Sequence, residues 1–303
     1  MRPQVTVVGS VNRDATVAVS QFPRPGETLL GGDLAQTLGG KGANQAVAAA
    51  RLGAVTCFVG AIGVDGADVR SELVEAEVGV SGLVTLEDVP TGAAFILVDD
   101  AAENMIVVSP GANARLAPAH LPAALLDGPG GVLLLQQEVP TDVVTEAARR
   151  AKDEGGTVVL NPAPSRPIAL DLLDAVDVLV PNQHELAALL DAPEPEGIED
   201  CRALLARLPE HIEACVTLGA DGALARSDAE IVHIQAPRVT AVDTVGSGDT
   251  FCGALGVALG NGASFTDSVA WAVHAASIAV GYRGAQGAFR GDDDLARLGP
   301  IPV

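Results

Sequence analysis

The chain has 303 residues, 48% of them hydrophobic, enough for a sizeable core in one large domain or a domain with a small appendage. Its formal net charge of −21 argues against non-specific affinity for nucleic acid or an anionic membrane surface. Cys57, Cys201, Cys215 and Cys252 form no close-spaced pair, which excludes a zinc pattern and a disulfide framework and points to a reducing cytoplasm.

The N-terminal segment MRPQVTVVGSVNRD lacks the apolar run of a signal peptide and leads straight into a strand over Val5–Val8. Asn12 and Asp14 follow it, two apart, an arrangement suited to sugar-like hydroxyls and equally to an Asx turn. Residues Ala15–Ala35 alternate as strands do, with no helix between them. In LGGKGANQAVAAARLG, Gly39, Gly40 and Gly42 surround Lys41 ahead of a helix over Ala43–Leu52. Gly follows Lys41 where a Walker A loop needs Ser or Thr. The glycines allow close backbone approach to a ligand, or simply lead into a helix. Lys41 and Lys152 are the chain's two lysines, and Asn44 falls in the first turn after Lys41.

Short apolar strands then alternate with helices. Strands are expected at Thr56–Val59, Val132–Leu135, Thr157–Leu160, Val178–Val180 and Cys215–Thr217. Helices are expected at Val69–Glu77, Thr141–Lys152, Glu185–Leu190 and Cys201–Leu208. This alternation predicts an α/β fold with a mostly parallel central sheet. Thr91–Val108 reads as a hairpin turning at Asp99–Asn104, and GADGALARSDAEIVHI as a second one. With no repeat or linker in sight, residues 1–303 read as one α/β domain. Its small β lid is drawn from roughly residues 12–35 and 91–108.

Ligands in such sheets bind beyond the carboxyl ends of the strands. Glu138 stands there, just past Val132–Leu135, as a ligand contact or a solvated loop residue. Asn182 and Glu185 have the spacing of a helix capping box, or of a polar pair organising phosphate and Mg²⁺ water. The last segments, Thr250–Leu259 and Phe265–Val280, are helical; Val269–Val280, the most apolar stretch, is broken by His274 and Ser277 and falls short of a membrane span. A helix starting near Gly248 would gather the N–H groups of Gly246, Ser247, Gly248 and Asp249 at its positive end, a ready anion site. Asp249 beside it suits a base that deprotonates a hydroxyl attacking phosphate, or is an ordinary acidic residue of a first helical turn. Cys252 reads as a small buried apolar residue.

From Val5 to about Gly287 the chain resembles the ribokinase (PfkB) family of carbohydrate kinases. GGKGANQA and DTVGSGDTFCGA carry the resemblance jointly, with GSVNRD, FPRPGET, NPAP and PNQHE in the expected order. The resemblance implies a three-layer α/β/α domain with a small β-sheet lid, which often pairs with a partner's lid in a homodimer. It also implies ATP-dependent phosphorylation of D-ribose at its 5-hydroxyl. Asp249 matches the catalytic base, and the backbone of Gly246, Ser247 and Gly248 the anion hole. Asn12, Asp14, Gly40, Lys41, Asn44 and Glu138 match sugar contacts. Asn182 and Glu185 match the Asn-x-x-Glu pair linked to phosphate and Mg²⁺, and Thr217 and Gly219 match nucleotide contacts. Asp243, Val245, Ala279, Tyr282, Gly284 and Ala288 match K⁺-site loops. The chain departs from the family pattern at Asp68, where Gly is common, and at Ala288, often Ser. Val273 stands where an adenine-contacting His or Asn is usual, with His274 one residue on. Alternatives from the same reading are a kinase acting on deoxyribose, a ketose or adenosine, or a sugar-binding regulator without chemistry. A dinucleotide-dependent dehydrogenase fails for want of Gly-x-Gly-x-x-Gly after the first strand.

Overall fold

The computed structural model describes residues 2–101, 103–228 and 230–303. The strands are β1 (Gln4–Val8), β2 (Asn12–Ala18), β3 (Ala35–Gly39), β4 (Val55–Gly63), β5 (Gly79–Leu86), β6 (Gly92–Val98), β7 (Asn104–Ser109), β8 (Val132–Leu135), β9 (Thr157–Leu160), β10 (Val178–Leu179), β11 (Glu213–Thr217), β12 (Ala223–Ser227) and β13 (Glu230–Ile234). The helices are α1 (Lys41–Arg51), α2 (Ala67–Glu75), α3 (Thr141–Asp153), α4 (Leu170–Asp174), α5 (Gln183–Leu189), α6 (Ile198–Leu205), α7 (Ser247–Gly260), α8 (Phe265–Ala279) and α9 (Asp292–Leu298).

The larger sheet has nine strands in the order β13-β12-β11-β10-β9-β8-β1-β4-β5. It is parallel from β11 to β5, with β12 and β13 added antiparallel at one edge. Its central strands are near-continuous apolar runs because helices cover both faces. Val5 and Val7 of β1 enter one core with residues of α1, α2, α7 and α8; Val8 enters the other with residues of α3, α4, α5 and α6. Full burial of a side chain such as Phe58 or Leu135 is worth about 1.5–3 kcal/mol relative to exposure. Cys252 is buried in the first of these cores, as an apolar residue would be. Among the described residues no helix is long and apolar enough to cross a membrane.

The smaller sheet has four strands in the order β3-β2-β6-β7. β2 pairs antiparallel with β3, placing Asn12 opposite Gly39, and parallel with β6, placing Asn12 opposite Gly92. Every residue of β7 is exposed, and Phe95 of β6 adds to the apolar surface of Met105, Ile106, Val107 and Val108.

Two expectations are corrected. Ala15–Ala35 is not strand throughout: β2 ends at Ala18 and β3 starts at Ala35. Pro23 and Pro25 between them lack the N–H a strand ladder needs. β5 appears where no strand was expected; it is an edge strand interrupted by Gly82. Both expected hairpins form, β6–β7 and β12–β13. Ala102 in the first turn and Ala229 in the second lie outside the described residues.

Candidate active site

Three loops at the carboxyl ends of the strands meet at Glu138. Its Oε2 accepts from the Lys41 N–H at 3.0 Å and from the Ser10 hydroxyl. Gly40, with φ of 88°, caps α1 and lies against the backbone of Val11, so a side chain there would collide with it.

α1 then runs under α7. A Cβ on Gly253 would lie 2.7 Å from the Ala48 Cβ and 2.9 Å from the Gln45 carbonyl oxygen, so glycine sets this close crossing. The crossing delivers two side-chain amides to Asp249, which is 7% exposed in the first turn of α7. Asn44 Nδ2 donates to Oδ2 at 3.0 Å, and Gln45 Nε2 to Oδ1 at 3.2 Å. A carboxylate only accepts, so both amide nitrogens must face it. Gln136 Nε2 holds that orientation by donating to Gln45 Oε1 at 2.6 Å. Burial pushes the Asp249 carboxyl above the ordinary Asp range, against the pull of Lys41 and the two amides.

α7 starts at Ser247, one residue earlier than expected, with Gly246 as its cap at φ 74°. The anion-hole expectation needs one correction. Ser247 N–H is already bonded to the Thr244 carbonyl at 3.2 Å, closing the turn that aims the helix. The N–H groups of Gly246, Gly248 and Asp249 have no backbone acceptor among the described residues, and nothing lies within 4 Å of where a Gly248 side chain would be. The open end of α7 therefore offers three donors at the positive pole of a 14-residue helix.

Asp14 faces the same space. Its carboxylate sits over Gly39, and its Oδ1 is buried without a hydrogen-bond partner. Burial, then the charges of Glu138 and Asp249, raise its pKa to about 6. Lys41 is the countercharge. Burial alone would pull its pKa down, but Asp249, Glu138 and Glu185 more than offset this and it ends raised. A half-buried ammonium, a buried carboxylate, an orphaned carboxylate oxygen and three free N–H groups together can bind a polyol, remove a hydroxyl proton and hold an anion.

Residues 2–290 match the family described as pfkB family carbohydrate kinase. The chain belongs to this family. Ribokinase of Haemophilus influenzae is 37% identical over 290 residues, covering 94% of this chain and 95% of its own length. Arabidopsis thaliana ribokinase, solved with ribose and ATP, superposes with a TM-score of 0.87 at 30% identity, covering 98% of this chain and 99% of that one. The Cryptococcus neoformans ribokinase in complex with ADP gives 0.81 at 31% identity, covering 94% and 96%.

A second group lies where β10 and β11 end in this PfkB-family chain. Asn182 and Glu185 form the capping box reciprocally: Glu185 N–H donates to Asn182 Oδ1 at 2.8 Å, and Asn182 N–H to Glu185 Oε2 at 2.9 Å. Asn182 also bridges to Thr217, and Gly219 follows with φ of 59°. Of the two residues weighed for adenine, Val273 is buried in the core and His274 is partly exposed.

The third group is the pair of loops around Asp243. Its Oδ1 accepts from Val245 N–H at 3.0 Å and its Oδ2 from Gly284 N–H at 2.8 Å, so one side chain ties the two loops together. Tyr282 turns its hydroxyl away, to Asp294 Oδ1 at 2.6 Å. The Ala288 carbonyl accepts from Arg51 Nη1 at 3.2 Å, so this charged donor takes one of its lone pairs. The Ala279 carbonyl accepts from the Tyr282 N–H at 3.0 Å, closing a turn.

Several residues here carry no local sequence signal. Asn113 donates from Nδ2 to Asn12 Oδ1 at 2.8 Å and to the Val11 carbonyl at 3.0 Å, while its Oδ1 accepts from Val11 N–H at 3.0 Å. Gln286 Nε2 donates to Asn44 Oδ1 at 2.9 Å, connecting the loop that follows Gly284 to the residue that touches Asp249. Gln136 could have been found: a polar pair closing the buried run LLLQQ needs a reason to be there.

Proposed function

We propose that this chain is an ATP:D-ribose 5-phosphotransferase, in line with ribokinase relatives that match nearly its whole length. The observation that carries the reading is Asp249, buried between two amide donors and adjoining the free N–H groups of α7. Asp249 takes the proton of the sugar's 5-hydroxyl as the oxygen attacks the γ-phosphorus, and the bond from that phosphorus to the β,γ-bridging oxygen breaks so that ADP leaves. The N–H groups of Gly246, Gly248 and Asp249 hold the transferring phosphoryl group as charge spreads over its oxygens. Asn12, Asp14, Gly40, Lys41, Asn44 and Glu138 hold the sugar, and the Asp14 orphan oxygen accepts from a sugar hydroxyl. ATP lies along Thr217 and Gly219, with Asn182 toward its phosphates. The smaller sheet is a lid on a single domain, and its closure excludes water.

The residues fit Mg²⁺ with ATP. Glu185 spends Oε2 on its cap and keeps its other oxygen, and Mg²⁺ commonly takes one or two carboxylates, several waters and phosphate oxygens. When bound, it neutralises phosphate charge. The Asp243 loops fit K⁺ on backbone oxygens, with Asp243 holding the loops in register. The exposed apolar surface of Phe95 and Met105–Val108 supports a homodimer through the lid. Four free thiols support a cytoplasmic setting.

ADP release measured with ribose, deoxyribose, fructose, adenosine or no sugar tests the substrate. Release with ribose is expected well above the others; a different preferred sugar would reassign the pocket, and no sugar-dependent release would leave a sugar-binding protein. Replacing Na⁺ by K⁺ in the same assay is expected to raise the rate several-fold. Equal rates in the two salts would remove the cation from the proposal.

A further inference from the structure

The smaller sheet meets the rest of the molecule at the starts of β2 and β6, which run parallel and side by side, and at the adjoining ends of β3 and β7. Both starts are held by one segment of the body, residues 63–68, which runs from the end of β4 into the first turn of α2. Asp65 Oδ1 accepts from Thr91 N–H at 2.8 Å and from the Thr91 hydroxyl at 2.7 Å, and Thr91 Oγ1 accepts from Gly63 N–H at 3.0 Å. Thr91 is the residue before β6. On β2 the grip falls on Arg13. Its guanidinium makes a two-pronged ion pair with the Asp68 carboxylate in the first turn of α2. Its Nη2 also reaches the Asp65 carbonyl at 3.4 Å.

Arg13 lies between Asn12 and Asp14 in sequence. Side chains alternate along a strand, so Arg13 leaves the face opposite to the one carrying those two. Asn113 secures Asn12 from the site side, and Asp68 secures Arg13 from behind. Asp14, one residue further along β2, is paired through its backbone to β3 and β6, but its buried side-chain Oδ1 has no hydrogen-bond partner among the described residues. Its position therefore depends on how β2 itself is held.

We propose that Arg13 and Asp68 are positioning residues, a clamp on β2 that aims Asn12 and Asp14 at the sugar and so sets sugar affinity without acting in phosphoryl transfer. This rests on the sugar-kinase reading above. The two side chains are 26% and 48% exposed, so the pair is partly screened and its effect is modest, though two-pronged geometry places it at the stronger end for such pairs.

The test is a double-mutant cycle with Arg13→Ala, Asp68→Ala, both together, and the swap Arg13→Asp with Asp68→Arg. Each single change is expected to raise the ribose KM about three- to fivefold, the upper end of what such pairs contribute, with kcat and the ATP KM unchanged. The double variant should be no worse than either single, and the swap should recover part of the loss. Added salt should raise the wild-type ribose KM and leave that of the double variant unchanged. Unchanged KM in the singles, or additive losses with no recovery in the swap, overturns the clamp. Hydrogen exchange of the β2 amides in sugar-free, nucleotide-free protein gives a reading independent of substrate. It should speed up in Arg13→Ala, and unchanged exchange overturns the clamp whichever sugar is phosphorylated. Failure of the wild type to act on ribose overturns the substrate reading alone and leaves the exchange result to judge the clamp.

Discussion

Asp249→Asn is expected to lower kcat by at least about a hundredfold, the low end for loss of a general base. The substitution preserves shape and removes the ability to take a proton. It also disturbs the amide frame. Asn44 and Gln45 both present N–H donors to the carboxylate, and Gln45 cannot turn over without losing Gln136. An amide at 249 can accept from one of them and must oppose the other with its own N–H. Folding should survive, because the change also removes a buried charge whose ionisation burial already opposes. Steady-state ADP release gives kcat, and calorimetry in parallel should show ribose still bound. The pH profile adds a signed check. Since burial raises the Asp249 pKa, the base is lost from the acid side, so wild-type kcat falls as pH drops and the residual rate of the variant should lack that limb. Near-normal turnover would remove Asp249 from the role of base.

The sequence made legible whatever is local. Buried parallel strands announce themselves as apolar runs, and β8 and β9 have the expected bounds. The Asn182–Glu185 capping box is a four-residue pattern and forms as read. The glycines before α1 and α7 were visible as helix entries, and Gly40 and Gly246 cap those helices with φ of 88° and 74°. What stayed hidden depends on contacts far apart in the chain. Asp249 meets Asn44 across 205 positions, and Asn113 meets Asn12 across 101, and no spacing rule reaches that far. Asp68 shows the same limit: in sequence it is an acidic residue in a turn, and only the fold brings Arg13 to it. The hydrogen bond of the Ser247 N–H to Thr244 was hidden for a subtler reason. Helix starts leave several N–H groups free on average, but the Thr244 turn that sets this helix start uses one of them.

Asp14→Asn should separate affinity from stability, because the two pull in opposite directions at this residue. The folded protein holds the Asp14 pKa at about 6, against an ordinary value of 3.8, chiefly through burial and then through Glu138 and Asp249. Below about pH 4 the carboxyl is protonated whether the chain is folded or not, and it contributes no difference. Between the two values the native state binds more protons than the unfolded chain, so stability falls as pH rises. Above about pH 6 the full cost of the buried charge is present. Asparagine carries no such cost. The variant should therefore be more stable than wild type by on the order of 1 kcal/mol at pH 8, allowing for partial exposure, with the gap closing by about pH 4. Thermal melts of both proteins across that range measure it. Sugar affinity moves the other way. An ionised oxygen with no partner is a stronger acceptor for a hydroxyl than an amide is, and a hydrogen bond to a charged group is worth about 1.5–3 kcal/mol. The ribose KM of the variant should rise roughly ten- to a hundredfold at pH 8. Wild-type kcat/KM for ribose should climb as pH rises through about 6, where Asp14 ionises. A variant that is both less stable and unchanged in KM would mean that the orphan oxygen already has a structural partner and does not serve the sugar.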